Sequence, residues 1–268
     1  MKKERADELL IAQGWAENAE KAKRLIMSGK VYTDKEEQIF TAGEKWSKET
    51  IVYIKGLEQP YVSRGGYKLK KALDDFNIDI EDRIVLDIGA STGGFTDVCL
   101  RQGARLVYAL DVGTNQLAWK LRIDERVEVM EQTNFRHVTL NDFKRGQPEF
   151  ATVDVSFISL KKIILVLKTI LSIRGEVVAL IKPQFEAKKE DVGNKGIITD
   201  PAIHENVVKN SVNYFYDQGF EVKKVIPSPI KGGKGNKEFL THLIFKETTL
   251  TKEEHLNKVM SASLFQTD

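Results

Sequence analysis

Cysteine is almost missing from this chain. Cys99 stands alone in 268 residues, so no disulfide framework can form and a reducing, cytoplasmic setting is expected. The four histidines, His137, His204, His242 and His255, show no metal-ligand spacing, and no metal is expected. A strong charge of one sign is also missing. The 41 Lys and Arg nearly balance 39 Asp and Glu, so any nucleic-acid contact must come from a local cluster rather than from bulk charge. No apolar run approaches the roughly 20 residues that a membrane span needs. The most apolar helix candidate, Ile163–Leu171, is short, carries Lys168 and reads as core-facing. The opening Met1-Lys-Lys-Glu-Arg-Ala-Asp7 has no apolar signal region, and repeats and low-complexity tracts are absent. What remains is a chain that is 41% hydrophobic and 30% charged. It can bury a core beneath a soluble surface, with room for one α/β domain and a small second module.

The small module is expected over residues 1–58, with a linker near 56–62 where Gly56 and Pro60 act as breakers. Ala6, Leu9, Leu10 and Ala12 are spaced for a short amphipathic helix. Asn18 can cap a second helix over Ala19–Met27, which Ser28-Gly29 stops. Val31-Tyr32, Gln38-Ile39-Phe40 and Glu49 to Ile54 read as short strands. Arg5-Ala-Asp-Glu-Leu-Leu10, Ala22 to Gly29 and Lys30-Val31 resemble the α-L RNA-binding module first seen in ribosomal protein S-four. That module usually has Ser-Arg at its second helix start and Asn-Gly in its turn. Here Asn18-Ala19 and Asp34-Lys35 stand instead, so one habitual RNA-facing arginine is missing. Lys21, Lys23, Arg24 and Lys30 still offer a basic face suited to phosphates. The competing reading is a solvated helix of mixed charge. Arg5 belongs to the same candidate RNA surface, with Arg64, Lys231 and Lys234 from the rest of the chain.

Residues 59–268 alternate strand and helix patterns at the lengths of a doubly wound, Rossmann-like, mostly parallel α/β sheet. Strands are expected at 84–88, 106–110, 127–130, 151–155, 176–181, 221–226 and 240–245. Helices are expected at 67–76, 95–102, 116–121, 159–171 and 202–218. The first strand runs into Asp87-Ile-Gly-Ala-Ser-Thr-Gly-Gly-Phe95, a tight glycine turn feeding a helix. Its spacing differs from the dinucleotide fingerprint G-x-G-x-x-G. It resembles the loop of S-adenosylmethionine-dependent methyltransferases, in which glycines let the backbone approach the cofactor with an acid close beneath. Asp111 ends the next strand about 20 residues on, where a carboxylate can hold both hydroxyls of a nucleoside ribose. The expected cofactor residues are Asp87, Gly89, Ser91, Gly93, Gly94, Phe95, Asp111 and Asn134, with S-adenosylmethionine as cofactor. The alternatives are a ligand-free glycine turn, Asp111 as cap of a helix beginning near Thr114-Asn115, and Asn134 as a turn residue.

Lys68 lies on the helix before the sheet, Asp154 at the end of the fourth strand, Lys182 after the fifth and Glu238 just before the last. Strand ends on one sheet edge are where this architecture carries its chemistry. Taken singly, each residue has an ordinary structural explanation. Together they resemble the Lys-Asp-Lys-Glu set of FtsJ-like ribose 2′-O-methyltransferases. The whole chain is similar to the hemolysin A (TlyA) family, in which an α-L module precedes such a domain. The matching motifs are Ser63-Arg-Gly-Gly-Tyr-Lys-Leu69, Asp87 to Thr96, Val153-Asp-Val-Ser-Phe-Ile-Ser159, Ile181-Lys-Pro-Gln-Phe-Glu186 and Gly235-Asn-Lys-Glu238.

The resemblance implies methylation of cytidine 2′-hydroxyls in ribosomal RNA, with rRNA or ribosomal subunits as partners. A ribose hydroxyl is a weak nucleophile at neutral pH and needs a base. Lys182 is expected to be that base, with Lys68 as the neighbouring cation, Asp154 orienting Lys182, and Glu238 holding lysines and ribose in register. The glycine-rich loop Ile230–Glu238 is expected either to close over an RNA backbone or to form a flexible surface turn. Three competing readings are a non-catalytic RNA-binding protein with a methyltransferase fold, a small-molecule methyltransferase, and a membrane-damaging hemolysin. Intact Lys68, Asp154, Lys182 and Glu238, the basic module, and the lack of a long amphipathic helix argue against them in turn.

Overall fold

A computed structural model describes residues 3–13, 15–16, 18–33, 36–47, 50, 52–56, 61–193, 196–232, 235–246, 250–260 and 264. The chain divides into two compact units, Met1–Tyr67 and Lys68–Asp268, with the division inside a helix rather than at the glycine and proline of the expected linker. Residues 57–60 of that linker lie outside the described residues.

The first unit holds β1 (Lys3–Arg5), α1 (Ala6–Ala12), α2 (Ala19–Met27), β2 (Val31–Thr33), β3 (Lys45–Ser47) and β4 (Val52–Ile54). β1 pairs antiparallel with β3, and β2 with β4. Leu9, Leu10, Trp15, Ala22, Ile26, Val31, Ile39, Val52 and Ile54 form its core. Asn18 caps α2 by accepting from the Lys21 amide at 2.9 Å. Gly29 leaves the helix at φ +68°, a conformation that suits glycine. The segment around Gln38 makes only an isolated bridge to Tyr32 instead of the expected strand. Its neighbours 34–35 lie outside the described residues.

The second unit contains one seven-stranded sheet. After α3 (Gly65–Phe76), which begins two residues before the expected Tyr67, come β5 (Ile84–Ile88), α4 (Gly94–Arg101), β6 (Leu106–Leu110), α5 (Trp119–Arg122) and β7 (Val127–Met130). There follow β8 (Phe150–Val153), α6 (Leu160–Leu167), β9 (Glu176–Ile181), α7 (Pro183–Glu186), α8 (Pro201–Asp217), β10 (Phe220–Pro227), β11 (Phe239–Phe245) and α9 (Lys252–Val259). The order across the sheet is β10-β11-β9-β8-β5-β6-β7, with β11 antiparallel to both its neighbours. β5 and β6 are buried along their whole length, which is why they read as apolar runs, broken in β5 only by Asp87, rather than as alternating ones. The chain turns outward in opposite directions on either side of β5. The crevice between the C-terminal ends of β5 and β8 is therefore the topological switch point, where open α/β sheets bind ligands.

α5 starts at Trp119, later than the expected Gln116, because residues 115–117 are held by Glu131. Its carboxylate accepts the amides of Asn115, Gln116 and Leu117 at 2.9–3.3 Å. No helix among the described residues is long and apolar enough to cross a membrane.

Candidate active site

Sheet register brings the four polar residues to one edge. β8 and β9 are parallel, with Val153 opposite Ala179, so Asp154 and Lys182 both follow strands that point the same way. β11 runs back against β9 with Phe239 opposite Ile181, which sets Glu238 beside the Lys182 end of β9. Lys68 reaches in from α3. Its Nζ donates to Glu238 Oε2 at 2.7 Å and lies 3.6 Å from Asp154 Oδ2. The other oxygen of Asp154 takes Lys182 Nζ at 2.5 Å. The result is a continuous chain, Glu238–Lys68–Asp154–Lys182, with both lysines and Glu238 buried.

Buried charges persist only when paired. Two ammonium and two carboxylate groups make this set neutral when all are ionised. Burial opposes ionisation of Asp154, but the charges of Lys68 and Lys182, and the hydrogen bonds they donate, outweigh it. They hold its carboxyl below the ordinary value.

Several neighbours carry no signal that spacing in the sequence reveals. Ser156 Oγ takes a second contact from Lys182 Nζ at 3.3 Å. Phe157 is 92% exposed and sits at φ +63°, a strained conformation for a bulky residue, with its ring 5.2 Å from that of Phe185. Glu186 accepts from Ser159 Oγ and the Leu160 amide, both at 2.6 Å, and so caps α6 beside the Asp154–Ser159 loop. Burial raises its pKa above the usual carboxylate value, against those hydrogen bonds.

On the other side of the switch point lies the glycine loop. Asp87 is fully buried, and its two oxygens accept from Thr96 Oγ1 at 2.7 Å and Thr152 Oγ1 at 2.8 Å. It therefore joins β5, α4 and β8 from beneath the loop. Thr152 was legible in principle, since it alternates with Asp154 along β8.

Gly89 (φ +88°) and Gly93 (φ +97°) must lack a side chain for a reason internal to the fold. A Cβ at Gly89 would lie 2.5 Å from the Asp154 carbonyl oxygen. One at Gly93 would lie 2.7 Å from Leu117 Cδ1 and strike Leu121. At both positions the protein's own atoms already exclude a side chain. Gly94 and Phe95 are buried in the first turn of α4.

Asp111 does not cap a helix. Its Oδ2 accepts the Ser91 amide at 2.8 Å and its Oδ1 the Gly113 amide at 2.7 Å. Those bonds fix the carboxylate while leaving further lone pairs for two vicinal hydroxyls. Exposed Val112 beside it offers an apolar surface to a base. A fixed acid, exposed Ser91 and an apolar neighbour at the switch point fit an adenosyl cofactor. Asn134 Oδ1 accepts from the Arg136 amide at 3.2 Å and caps a short 3-10 turn. Among the described residues no group of His, Cys, Asp and Glu could hold a metal ion.

In the first unit Lys21, Lys23, Arg24 and Lys30 are all exposed, on α2 and just after it. Arg24 pairs with Glu20 one turn back. Arg5 is committed to buried Asp7 through two hydrogen bonds of 2.9 and 2.7 Å, which makes it part of the module's own scaffold. Arg64 and Lys231 are exposed, and Lys234 lies outside the described residues. Within the glycine-rich loop Gly232, Asn236 and Glu238 are buried, and residues 233–234 lie outside the described residues.

Comparison with known proteins follows the same outline. The family model described as FtsJ-like methyltransferase matches residues 61–245. The chain is 54% identical over 242 residues to the Bacillus subtilis protein named "Putative rRNA methyltransferase YqxC", covering 90% of this chain and 86% of that one. It is 38% identical over 239 residues to a Mycobacterium tuberculosis protein named 16S/23S rRNA (cytidine-2′-O)-methyltransferase TlyA, covering 89% of each. Among solved structures, one titled "Putative hemolysin from Streptococcus thermophilus" superposes with a TM-score of 0.72 at 51% identity, covering 96% of both chains.

Proposed function

The chain belongs to the FtsJ-like methyltransferase family, and from that premise we propose that it methylates the 2′-hydroxyl of cytidine ribose in ribosomal RNA, in the cytoplasm, with S-adenosylmethionine as donor. The observation that carries the reading is the buried Glu238–Lys68–Asp154–Lys182 chain at the same sheet edge as the glycine loop and Asp111.

When bound, S-adenosylmethionine supplies an electrophilic methyl group. The Ser91–Phe95 turn and Asp111 hold that cofactor from the β5–β6 side. Asp87 acts from below by fixing the turn through Thr96 and Thr152. Lys182 accepts the proton of the 2′-hydroxyl, and Lys68 offsets the negative charge that develops on the oxygen. Asp154 orients Lys182, and Glu238 orients Lys68. Lys182 can take the hydroxyl proton only when the four-group set is one proton short of its neutral, fully ionised form. Phe157, exposed beside the Asp154 loop, offers a face on which the target base can stack. The basic surface of α2 supplies phosphate contacts that bring ribosomal RNA or a ribosomal subunit to the enzyme.

Single-turnover methyl transfer to ribosomal RNA tests the assignment. Lys182→Ala should lose roughly 10²–10⁴-fold in rate with cofactor affinity nearly intact. Lys182→Arg should not rescue, because a guanidinium stays protonated. An active arginine variant would remove Lys182 from the role of base. No transfer to any ribosomal RNA by the wild type would overturn the assignment.

A further inference from the structure

Glu238 reaches Lys68 across 170 positions of sequence, so something must fix the turn that carries it. The turn between β10 and β11 is rich in glycine, a composition that by itself gives little positional definition. Its anchor is Asn236, which is 3% exposed. The Asn236 Nδ2 donates to the Gly196 carbonyl at 2.9 Å, and its Oδ1 accepts the Ile198 amide at 3.1 Å. Both ends of one amide side chain are thus used to clamp the turn to a segment that follows β9. The Asn236 carbonyl accepts the Gly232 amide at 2.9 Å, which closes the turn on itself. The Ser228 amide donates to the Glu238 carbonyl at 2.8 Å and aligns the two strand ends.

Gly232 then backs onto the carboxylate itself, since a Cβ placed there would strike the Glu238 carboxyl group. Glu238 is therefore confined on one side by the Gly232 backbone and held on the other by Lys68 Nζ at 2.7 Å. We infer that Asn236 is a positioning residue for methyl transfer, which holds Glu238 in register with Lys68 by clamping the β10–β11 turn to residues 196–198, with Gly232 as the backbone wall that limits where the carboxylate can go. The inference rests on the assignment of methyl transfer to this site.

The physical consequence is specific. The side-chain hydrogen bonds of Asn236 run to residues 196 and 198 rather than to the lysines or Asp154, so its loss should act through the placement of Glu238. Misplacing a catalytic group by about 1 Å can cost on the order of 10²-fold in rate. Asn236→Ala should lower the single-turnover rate by roughly 10–100-fold, while the cofactor dissociation constant and the rRNA concentration at half-maximal rate stay within about twofold. Asn236→Ser keeps a small uncharged hydrogen-bonding group at the position, so it should fall between Asn236→Ala and wild type. Gly232→Ala should reproduce the rate loss of Glu238→Gln.

The deciding measurement is a double-mutant cycle on the full-length protein. In the Glu238→Gln background, Asn236→Ala should have almost no further effect, because the two residues act as one unit. If the two losses multiply, or if Asn236→Ala transfers methyl at the wild-type rate, the role of Asn236 is overturned. Should the alanine variant fail to fold, the same cycle is run with Asn236→Ser, where multiplying losses overturn the role in the same way. Absence of transfer by the wild type would overturn the underlying assignment as well, and the wild-type arm alone distinguishes that failure.

Discussion

Asn in place of Asp87 should make this protein more stable at neutral pH while weakening its grip on the cofactor. Asp87 is fully buried. Burial pushes its carboxyl up from the ordinary 3.8 to about 6, against the hydrogen bonds from Thr96 and Thr152 and with a smaller push from the charge on Asp154. A rise of that size makes the charged form cost about 3 kcal/mol in the folded state relative to the unfolded one. The sign follows from proton binding. Between pH 4 and 6, roughly, the folded chain holds a proton that the unfolded chain has released, so this group's contribution to stability increases as pH falls through that window. Above about pH 6 the penalty is complete, and below about pH 4 both states are protonated and it vanishes.

An amide of the same shape never bears the charge. It does meet two threonine hydroxyls with one acceptor and one donor, and an imperfect hydrogen bond costs roughly 1 kcal/mol. Asp87→Asn is therefore expected to be about 1–3 kcal/mol more stable than wild type at pH 7.5, with the gap closing by pH 4. Urea unfolding of both proteins at half-unit steps between pH 4 and 8 measures it, with midpoints compared at unchanged slope. The same variant should bind S-adenosylmethionine more weakly, because the glycine loop has lost the charge beneath it. An asparagine variant that is less stable at pH 7.5, or a gap of equal size at pH 4.5 and 7.5, would refute the reasoning.

Other perturbations separate the parts of the site. Asp111→Ala should weaken cofactor binding by roughly 1–3 kcal/mol and release the Ser91 and Gly113 amides. Unchanged affinity by calorimetry would move the ribose contact elsewhere. Gly93→Val should act through the fold, since the new side chain strikes Leu117 and Leu121 at φ +97°. A thermal midpoint that drops together with cofactor affinity is expected, and an affinity loss at unchanged midpoint would instead place the cofactor against Gly93 itself. Replacing Lys21, Lys23 and Lys30 together by Glu should weaken ribosomal RNA binding and flatten its salt dependence while leaving cofactor affinity alone. Filter binding at several salt concentrations reads that slope, and an unchanged slope would take the α2 face out of RNA capture.

Much of the fold could be read directly from the chain. The strands β5, β6 and β9 show as mostly apolar runs, and the helix over Ala19–Met27 shows through its cap and its glycine stop, because those signals depend on residues a few positions apart. The order strand, glycine turn, helix, strand, acid is likewise local, and so are the residue types at the strand ends. The helices α7 and α9 are not legible in the sequence because α7 is about one turn long and α9, Lys252–Val259, has only Leu256 and Val259 to mark an apolar face. The expected strand around Gln38 failed because its neighbours offered one bridge and no ladder.

Tertiary structure alone decided which of these pieces meet. Lys68 and Glu238 pair because β11 folds back antiparallel to β9 in a register that puts Phe239 opposite Ile181. Asp87 became a buried brace because Thr152 on the neighbouring strand faces it. Arg5, exposed on its module, is bonded to a buried acid two residues away. Gly93 owes its identity to two leucines more than 20 positions downstream. In each case the deciding contact was set by sheet order, strand register or side-chain direction. Chain spacing fixes what chemistry is available at a strand end, and long-range packing fixes which groups come close enough to use it.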